Sequence, residues 1–437
     1  MANPVSGFSK KSKTEKIEWL AANYLADRPD AIALLKSYWN DDPTVQRLHD
    51  DFIENTLSNY YLPFGIAPNF LINNTLYALP MVIEESSVVA AASNAAKFWL
   101  SRGGFTTEVL GTQKNGQVHI NFYGKNDHIV GFFKEIYPKL IATIESLQKN
   151  MKKRGGGLID LELQDHTETL DGYYQIHATF ETLDAMGANF INSCLEAIAH
   201  TFETEAKDYP SFQQTDLYPE VVLSILSNYV PECLVRAQVR CPVEDLSDKH
   251  MEGHEFAKKF VRAIAIANAE KRRAVTHNKG IMNGVDALIL ATGNDFRAVE
   301  AGVHAYAAKD GSYRSLTHAT VKDGTFTFWI ELPLALGTVG GLTSLHPMVQ
   351  LAFDILQKPN AQQLMEIVAV AGLAQNFAAI RSLVTTGIQK GHMKMHLMNI
   401  LNQFQASDSE KQKAIIHFKE HTVSHSAVVA FIDTIRS

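Results

Sequence analysis

Four short segments of this chain combine polar side chains with glycines in a pattern that suits chemistry better than packing. They are Asp184–Asn189, Thr276–Gly284, Ala291–Arg297 and Lys390–Met393. The first has small residues that, at a helix N-terminus, let backbone N–H groups approach an anion such as a pyrophosphate. A helix start capped by aspartate, with a glycine for packing, is the alternative interpretation.

The second segment follows Arg272 and Arg273 and offers cations, amides and a hydroxyl beside two glycines. Arginine binds a carboxylate through two hydrogen bonds and lysine supplies a point charge. The segment therefore suits a substrate that carries carboxylate and carbonyl oxygens. A solvated basic turn is the alternative.

Asp295 and His392 are the titratable side chains of the other two segments. Asp295 is expected either to cap a helix that begins at Phe296 or to hold a buried cation charged. His392 follows a glycine, which suits a mobile proton donor, with a place on a helix surface as the alternative. His392 and His396 have the spacing to share a metal, but no third ligand follows, so no metal is predicted.

The elements that position these segments form an inserted domain within a larger one. Alternating apolar residues predict strands around 118–122, 158–163, 173–183 and 221–226. Apolar stripes at helical spacing predict helices over 136–151 and 191–202. The order β-α-β-β-α-β predicts a ferredoxin-like domain at 112–227.

The rest of the chain is predicted to be mostly helical. This large domain covers 1–111 and 228–386, and a small helical flap at 387–437 completes an α+β fold. One helix is predicted over Val88–Leu100 and another over Phe256–Val275. Pro138 is expected to bend the first helix of the inserted domain, and Asn115-Gly116 to form a turn.

The composition excludes several classes of protein. The 437 residues carry a formal net charge of -7, which argues against non-specific nucleic-acid binding. Three scattered cysteines cannot form a disulfide scaffold and suit a reducing cytoplasm. No uninterrupted apolar run approaches the roughly 18 residues of a membrane span. The sequence signatures of Rossmann, P-loop and zinc-protease sites are missing.

Together with further runs, these segments resemble the hydroxymethylglutaryl-CoA reductases, specifically the bacterial class II form. The runs follow the family's order: 54–55, 62–70, 84–85, 88–93, 103–107, 184–189, 277–284, 291–302, 340–341, 373–376 and 391–393. The resemblance implies reduction of (S)-3-hydroxy-3-methylglutaryl-CoA to mevalonate and CoA with two NADPH, through a mevaldehyde stage. It further implies a cytoplasmic homodimer or higher oligomer of the mevalonate pathway, with each active site between two chains.

The resemblance also assigns roles to individual residues. Lys279 matches the lysine that stabilises an oxyanion, and Glu85 matches the glutamate that moves protons. Asp295 matches the aspartate that tunes both, and His392 matches the histidine that protonates the departing CoA thiolate. The substrate-binding positions are Ser87, Arg273, Thr276 and Asn283, with Glu54 near the CoA moiety. The nucleotide-binding positions are Asp184, Met186, Gly187 and Asn189.

One departure from the family pattern bears on the choice of cofactor. Relatives that prefer NADH carry an acidic residue where this chain has Gln148, and Lys149 and Lys152 follow it. Without the carboxylate, a 2′-phosphate is favoured, so NADPH is predicted and NADH is kept as possible. NADH-linked mevalonate oxidation, a CoA-dependent transferase or lyase without a redox cofactor, and a helical interaction protein are the alternatives.

Overall fold

The computed structural model describes residues 4–247, 251–385, 397–418 and 421–436. By their contacts the residues divide into two units, Met1–Pro63 and Phe64–Ser437. The first unit holds three short helices, α1 (Lys13–Tyr24), α2 (Ala31–Ser37) and α3 (Pro43–Asp50). Ser12 and Glu15 form a capping box that starts α1.

The second unit opens with a hairpin, β1 (Phe64–Ile72) and β2 (Thr75–Val82), followed by α4 (Val88–Leu100). The prediction of mostly helix for the first hundred residues is wrong over this hairpin. Asn73 and Asn74 turn the chain there, both in the left-handed region that asparagine tolerates. The helix predicted at Val88–Leu100 is confirmed with the same bounds.

The predicted β-α-β-β-α-β order is present between residues 114 and 226. Its elements are β4 (Lys114–Asn121), α5 (Asn126–Thr143), α6 (Glu145–Lys152), β5 (Gly157–Asp165), β6 (Tyr173–Glu181), α7 (Ala188–Ala206), α8 (Pro210–Thr215) and β7 (Glu220–Leu226). The sheet order is β5-β6-β4-β7. Its helices and strands share a separate apolar core.

Two local predictions in this region are wrong. Asn115 and Gly116 lie inside β4, paired with β6 on one side and, at Gly116, with β7 on the other. The helix predicted over 136–151 is two helices, which meet at Ile144. The bend expected at Pro138, which lies inside α5, stays a prediction. Cross-strand hydrogen bonds outweigh the local turn preference of an Asn-Gly pair in the middle of a sheet.

A second four-stranded sheet, in the order β3-β8-β10-β9, lies outside the predicted elements. Its strands are β3 (Thr106–Val109), β8 (Leu234–Pro242), β9 (Thr317–Lys322) and β10 (Thr325–Pro333). The helices that follow it in the chain or separate its strands are α9 (Gly253–Ala269), α10 (Lys271–Ala291), α11 (Phe296–Ala307), α12 (Leu342–Leu345), α13 (Pro347–Ile355) and α14 (Ala361–Val384). The single helix predicted over Phe256–Val275 is broken at Glu270, whose carboxylate caps α10.

The long helix α14 is the centre of the larger apolar core. By length and composition α14 could cross a membrane, but 67% of its most apolar 18-residue stretch is buried inside the protein. Gly284 of α10 packs against it so closely that a Cβ there would stand 2.5 Å from the Ala371 carbonyl oxygen. The glycine therefore sets the approach of the two helices.

The described C-terminal residues are helical. Residues 397–403 are helical, and α15 (Asp408–His417) and α16 (His425–Arg436) follow. They share a small apolar cluster that includes Leu401, Phe418 and Val428. The first residues of the predicted flap, with His392 among them, lie outside the described residues.

Candidate active site

A cleft of about 600 Å³ is bordered by α4, α10 and the second half of α14. It brings together Glu85, Ser87, Arg273, Thr276, Lys279 and Asn283, all of which the sequence singled out. Further polar residues line it: Asn94, Gln375, Asn376, Arg381, Ser382 and Thr385. Each of the three helices that border the cleft therefore contributes polar or charged side chains to it.

A lysine and a glutamate form the charged pair of this cleft. The Nζ of Lys279 donates to Oε2 of Glu85 at 2.7 Å, across 194 residues of sequence. The side chains keep 60% and 40% of their exposure. A ligand can thus reach an ammonium and a carboxylate at the same point.

The segment Thr276–Gly284 is part of helix α10, so its interpretation as a solvated turn is wrong. Arg273, Thr276, Gly280 and Asn283 follow helical spacing and share one face of α10, which lines the cleft. Gly280 has no atom within 4 Å of where a Cβ would stand, so the cleft stays open beside Lys279.

Arg273 is suited to an anionic ligand. Among the described residues, no carboxylate lies within ion-pair distance of its guanidinium, which is half-buried. Burial lowers the pKa of this guanidinium from its ordinary value. A half-buried cation without a protein counter-charge favours binding of a substrate carboxylate.

A buried polar layer supports α10 beneath the cleft. The amide Nδ2 of Asn376 donates to the His277 carbonyl at 3.3 Å, so its Oδ1 accepts from the Thr317 hydroxyl at 3.0 Å. That hydroxyl lies 2.6 Å from Nε2 of His277, which therefore carries the ring proton. Burial, with Arg273 close by, lowers the pKa of His277 to about 3, so the ring is neutral.

This layer contains residues whose role the sequence reasoning missed. Gln375 and Asn376 appeared only as part of a family run. Both are buried in an otherwise apolar helix. Two adjacent buried amides in such a helix are the signal that could have identified them, because buried polar groups need partners.

Asp295 lies away from the cleft. It caps α11, accepting from the N–H groups of Arg297 and Ala298, as the capping prediction requires. The N–H of Asn294 donates to the carbonyl of Ile289, so Asn294 and the adjacent Asp295 stay close to the C-terminal end of α10. Ile289 is 10 residues beyond Lys279 (289 minus 279), which is about 15 Å along a helix. Asp295 and Lys279 of one chain are therefore not in contact.

The predicted nucleotide segment forms a turn between β6 and α7. Gly187 is the N-cap of α7 at φ 93°, and no side chain caps the helix, so Asp184 is not its cap. Instead, Oδ1 of Asp184 accepts from the N–H of Ala361, the first residue of α14, at 2.8 Å. The uncapped N-terminus of α7 has the character of an anion site, which fits a dinucleotide pyrophosphate.

Helix α6 carries the other predicted cofactor residues. Gln148 is buried, and its Oε1 accepts from the N–H of Leu158 at 3.1 Å. Lys149 is exposed, and Lys152 pairs with Glu145 at 2.6 Å. The cations thus stand at the exposed end of α6, beside a buried amide.

Two predicted residues lie elsewhere in the chain. Glu54 is exposed in the first unit, just before Asn55, which adopts a left-handed conformation. His392 lies outside the described residues, so its place relative to the cleft stays a prediction.

Known proteins resemble this chain along most of its length. A family model described as hydroxymethylglutaryl-coenzyme A reductase matches residues 15–397. The 3-hydroxy-3-methylglutaryl-coenzyme A reductase of Archaeoglobus fulgidus is 35% identical, over 95% of this chain and 90% of its own length. A probable reductase of the same name from Borreliella burgdorferi is 36% identical, over 86% and 85%. A solved class II reductase of Streptococcus pneumoniae, bound to NADPH in open conformations, superposes with a TM-score of 0.73 at 34% identity, covering 98% of this chain and 100% of its own.

Proposed function

The chain belongs to the hydroxymethylglutaryl-coenzyme A reductase family, and we propose that it reduces (S)-3-hydroxy-3-methylglutaryl-CoA to mevalonate and CoA with two NADPH. The observation that carries the proposal is the Lys279–Glu85 pair, 2.7 Å apart and open to a polar cleft. The reaction is a step of the mevalonate pathway of isoprenoid biosynthesis, and we place it in the cytoplasm.

Six polar side chains of the cleft have a part in this reaction. The Lys279 ammonium stabilises the oxyanion that forms when a hydride reaches the thioester carbonyl. Glu85, in hydrogen-bond contact with that ammonium, supplies and recovers the proton at the mevaldehyde stage. Arg273 binds the substrate carboxylate, while Ser87, Thr276 and Asn283 bind its oxygens.

The second unit fits the dinucleotide through two features. The N-terminus of α7, uncapped at Gly187, would hold the pyrophosphate, with Asn189 beside it and Met186 and Asp184 in the turn. Lys149 and Lys152 would meet the 2′-phosphate, since no carboxylate stands at position 148. NADPH supplies the hydride when bound, and NADH stays a possible substitute.

We propose that the active site is completed across a homodimer. Asp295 and the nucleotide turn of this chain do not line the Lys279 cleft formed by the described residues. A second copy of the chain would bring Asp295 of the partner subunit to the Lys279–Glu85 pair.

His392 and Glu54 complete the proposal. The flap from 387 to 437 would close over the bound substrate and bring His392 to the departing thiolate. A free thiolate re-adds readily. By analogy with cysteine, whose thiol has an unperturbed pKa of about 8.5, protonation of the CoA thiolate by a histidine is favourable near neutrality. Glu54 is proposed to contact the CoA moiety.

The decisive experiment follows nicotinamide absorbance with purified protein and hydroxymethylglutaryl-CoA. Wild type should oxidise two NADPH per substrate, and Lys279→Ala should lose the activity. His392→Ala should lose thioester reduction and keep reduction of added mevaldehyde. Turnover without NADPH would instead support a transferase or lyase, and a reaction seen only from mevalonate with NAD would support the oxidative direction.

A further inference from the structure

A buried lysine supports the nucleotide turn. Lys114, at the start of β4, is only 5% exposed. Its Nζ donates to the Thr182 hydroxyl at 2.5 Å and to the Ala185 carbonyl at 2.8 Å. Both acceptors belong to the turn that connects β6 to α7, so one ammonium joins the sheet to this turn.

The turn that Lys114 holds is strained. Leu183 adopts φ 51°, a left-handed conformation that is unfavourable for a residue with a Cβ. The carboxylate of Glu181 accepts from the Leu183 N–H at 2.7 Å. Such a conformation persists only where surrounding contacts determine it, and Lys114 provides two of them.

The same turn is anchored to the large domain. The carbonyl of Asp184 accepts from the N–H of Thr338 at 2.8 Å, and Ala185 forms a bridge with Val339. At Gly187 a Cβ would stand 2.5 Å from a methyl carbon of Thr182, so the backbone passes directly over the residue that Lys114 holds. The position of the α7 N-terminus therefore depends on Thr182.

We propose that Lys114 is a positioning residue for the dinucleotide: it fixes the Thr182–Gly187 turn so that the first N–H groups of α7 meet the pyrophosphate. This inference rests on the proposed function. Lys114 acts through the turn and does not itself touch the reacting atoms.

Energetics favour this role over a purely structural one. An ammonium buried in a protein costs desolvation free energy, and apolar residues of similar shape often give equal stability. Burial lowers the pKa of Lys114, and the carboxylates of Glu181 and Asp184 oppose that shift. Within the described part of the chain, both hydrogen bonds of this buried ammonium go to the nucleotide turn. The cost of burying it is explained if the shape of that turn matters for binding.

The test compares three variants of the full-length protein. Lys114→Met keeps the volume and removes both hydrogen bonds, and Thr182→Val removes one acceptor with little change of shape. Lys139→Met is the matched control, because Lys139 is an exposed lysine of the same domain that pairs with Glu205 on the surface. The measurements are the NADPH Kd by fluorescence, the KM values of both substrates, kcat and Tm.

We expect Lys114→Met to raise the NADPH Kd and KM about tenfold, the loss typical of a charge-assisted hydrogen bond. The KM of hydroxymethylglutaryl-CoA should change less than twofold, and Lys139→Met should match wild type. If Lys114→Met does not fold, Thr182→Val decides, with an expected rise of about threefold. An unchanged NADPH Kd in the folded variant, or equal losses for both substrates, would overturn the proposal.

The failure of the proposed function gives a different result. Wild-type protein that binds NADPH but does not turn over would refute the reductase proposal and leave the Kd comparison valid. Wild-type protein that does not bind NADPH would overturn both.

Discussion

We expect Lys279→Ala and Asp295→Ala each to be inactive alone and to restore activity when the two variants share a dimer. In one chain, about 15 Å of helix α10 separates Lys279 from Ile289, near which Asp295 lies. Lys279 contacts Glu85 directly. A site that needs all three groups must then take Asp295 from the partner subunit. The two substitutions therefore damage different halves of each site.

The expected recovery follows from two-fold symmetry. A heterodimer of the two variants has one site with both substitutions and one site with neither. Its activity should be about half that of wild type, whereas each homodimer should lose roughly a hundredfold to a thousandfold. Co-expression with two different tags and sequential purification yields the heterodimer, and NADPH oxidation measures its activity.

A matched pair of variants controls this experiment. Lys279→Ala combined with Glu85→Ala should not recover, because both residues belong to the same cleft of one chain and each heterodimer site lacks one of them. Recovery in this control, or none in the Lys279→Ala and Asp295→Ala heterodimer, would refute the division of the site between chains.

Three further predictions concern specificity and stability. Gln148→Glu should lower kcat/KM for NADPH about tenfold relative to NADH, because it adds a carboxylate beside Lys149; an unchanged ratio would contradict the assignment. The folded-state pKa of His277, about 3, lies below its unfolded value near 6.5. Its contribution to stability is present above pH 6.5 and is lost as pH falls towards 3, by about 1.4 kcal/mol per pH unit at most. Urea unfolding at pH 7 and pH 5 should show this loss, and His277→Gln should reduce it. Burial and the neighbouring Glu300 raise the pKa of Asp286 to about 8. The stability from the protonated acid is therefore lost as pH rises from 4 to 8, so Asp286→Asn should raise Tm more at pH 8.5 than at pH 5.5, and an equal change at both would refute this.

Local patterns in the sequence predicted much of the architecture between residues 114 and 226. Strand alternation and helical stripes are properties of neighbouring residues, so the β-α-β-β-α-β order could be read directly. The hairpin of β1 and β2 and the second four-stranded sheet could not, because their pairing depends on partners far along the chain. Asn115-Gly116 shows the same limit: its turn preference is real, but sheet pairing decides its conformation.

The sequence by itself determined which residues could do the chemistry. The runs around Glu85, Lys279 and Asp184 name an acid, a cation and an anion-binding turn without any structure. Residue type and spacing suffice for this, since they set the available charges and hydrogen bonds.

Only the tertiary structure decided how those residues combine. It joined Glu85 to Lys279 across 194 residues, and it separated Asp295 from that pair although only 16 positions (295 minus 279) divide Asp295 from Lys279 in sequence. In the folded chain the carboxylate of Asp184 accepts from the first N–H of α14 instead of capping α7, and Lys114 bonds the nucleotide turn. The physical reason is that helices are rigid and cores are close-packed, so distance in space follows packing and not distance along the chain.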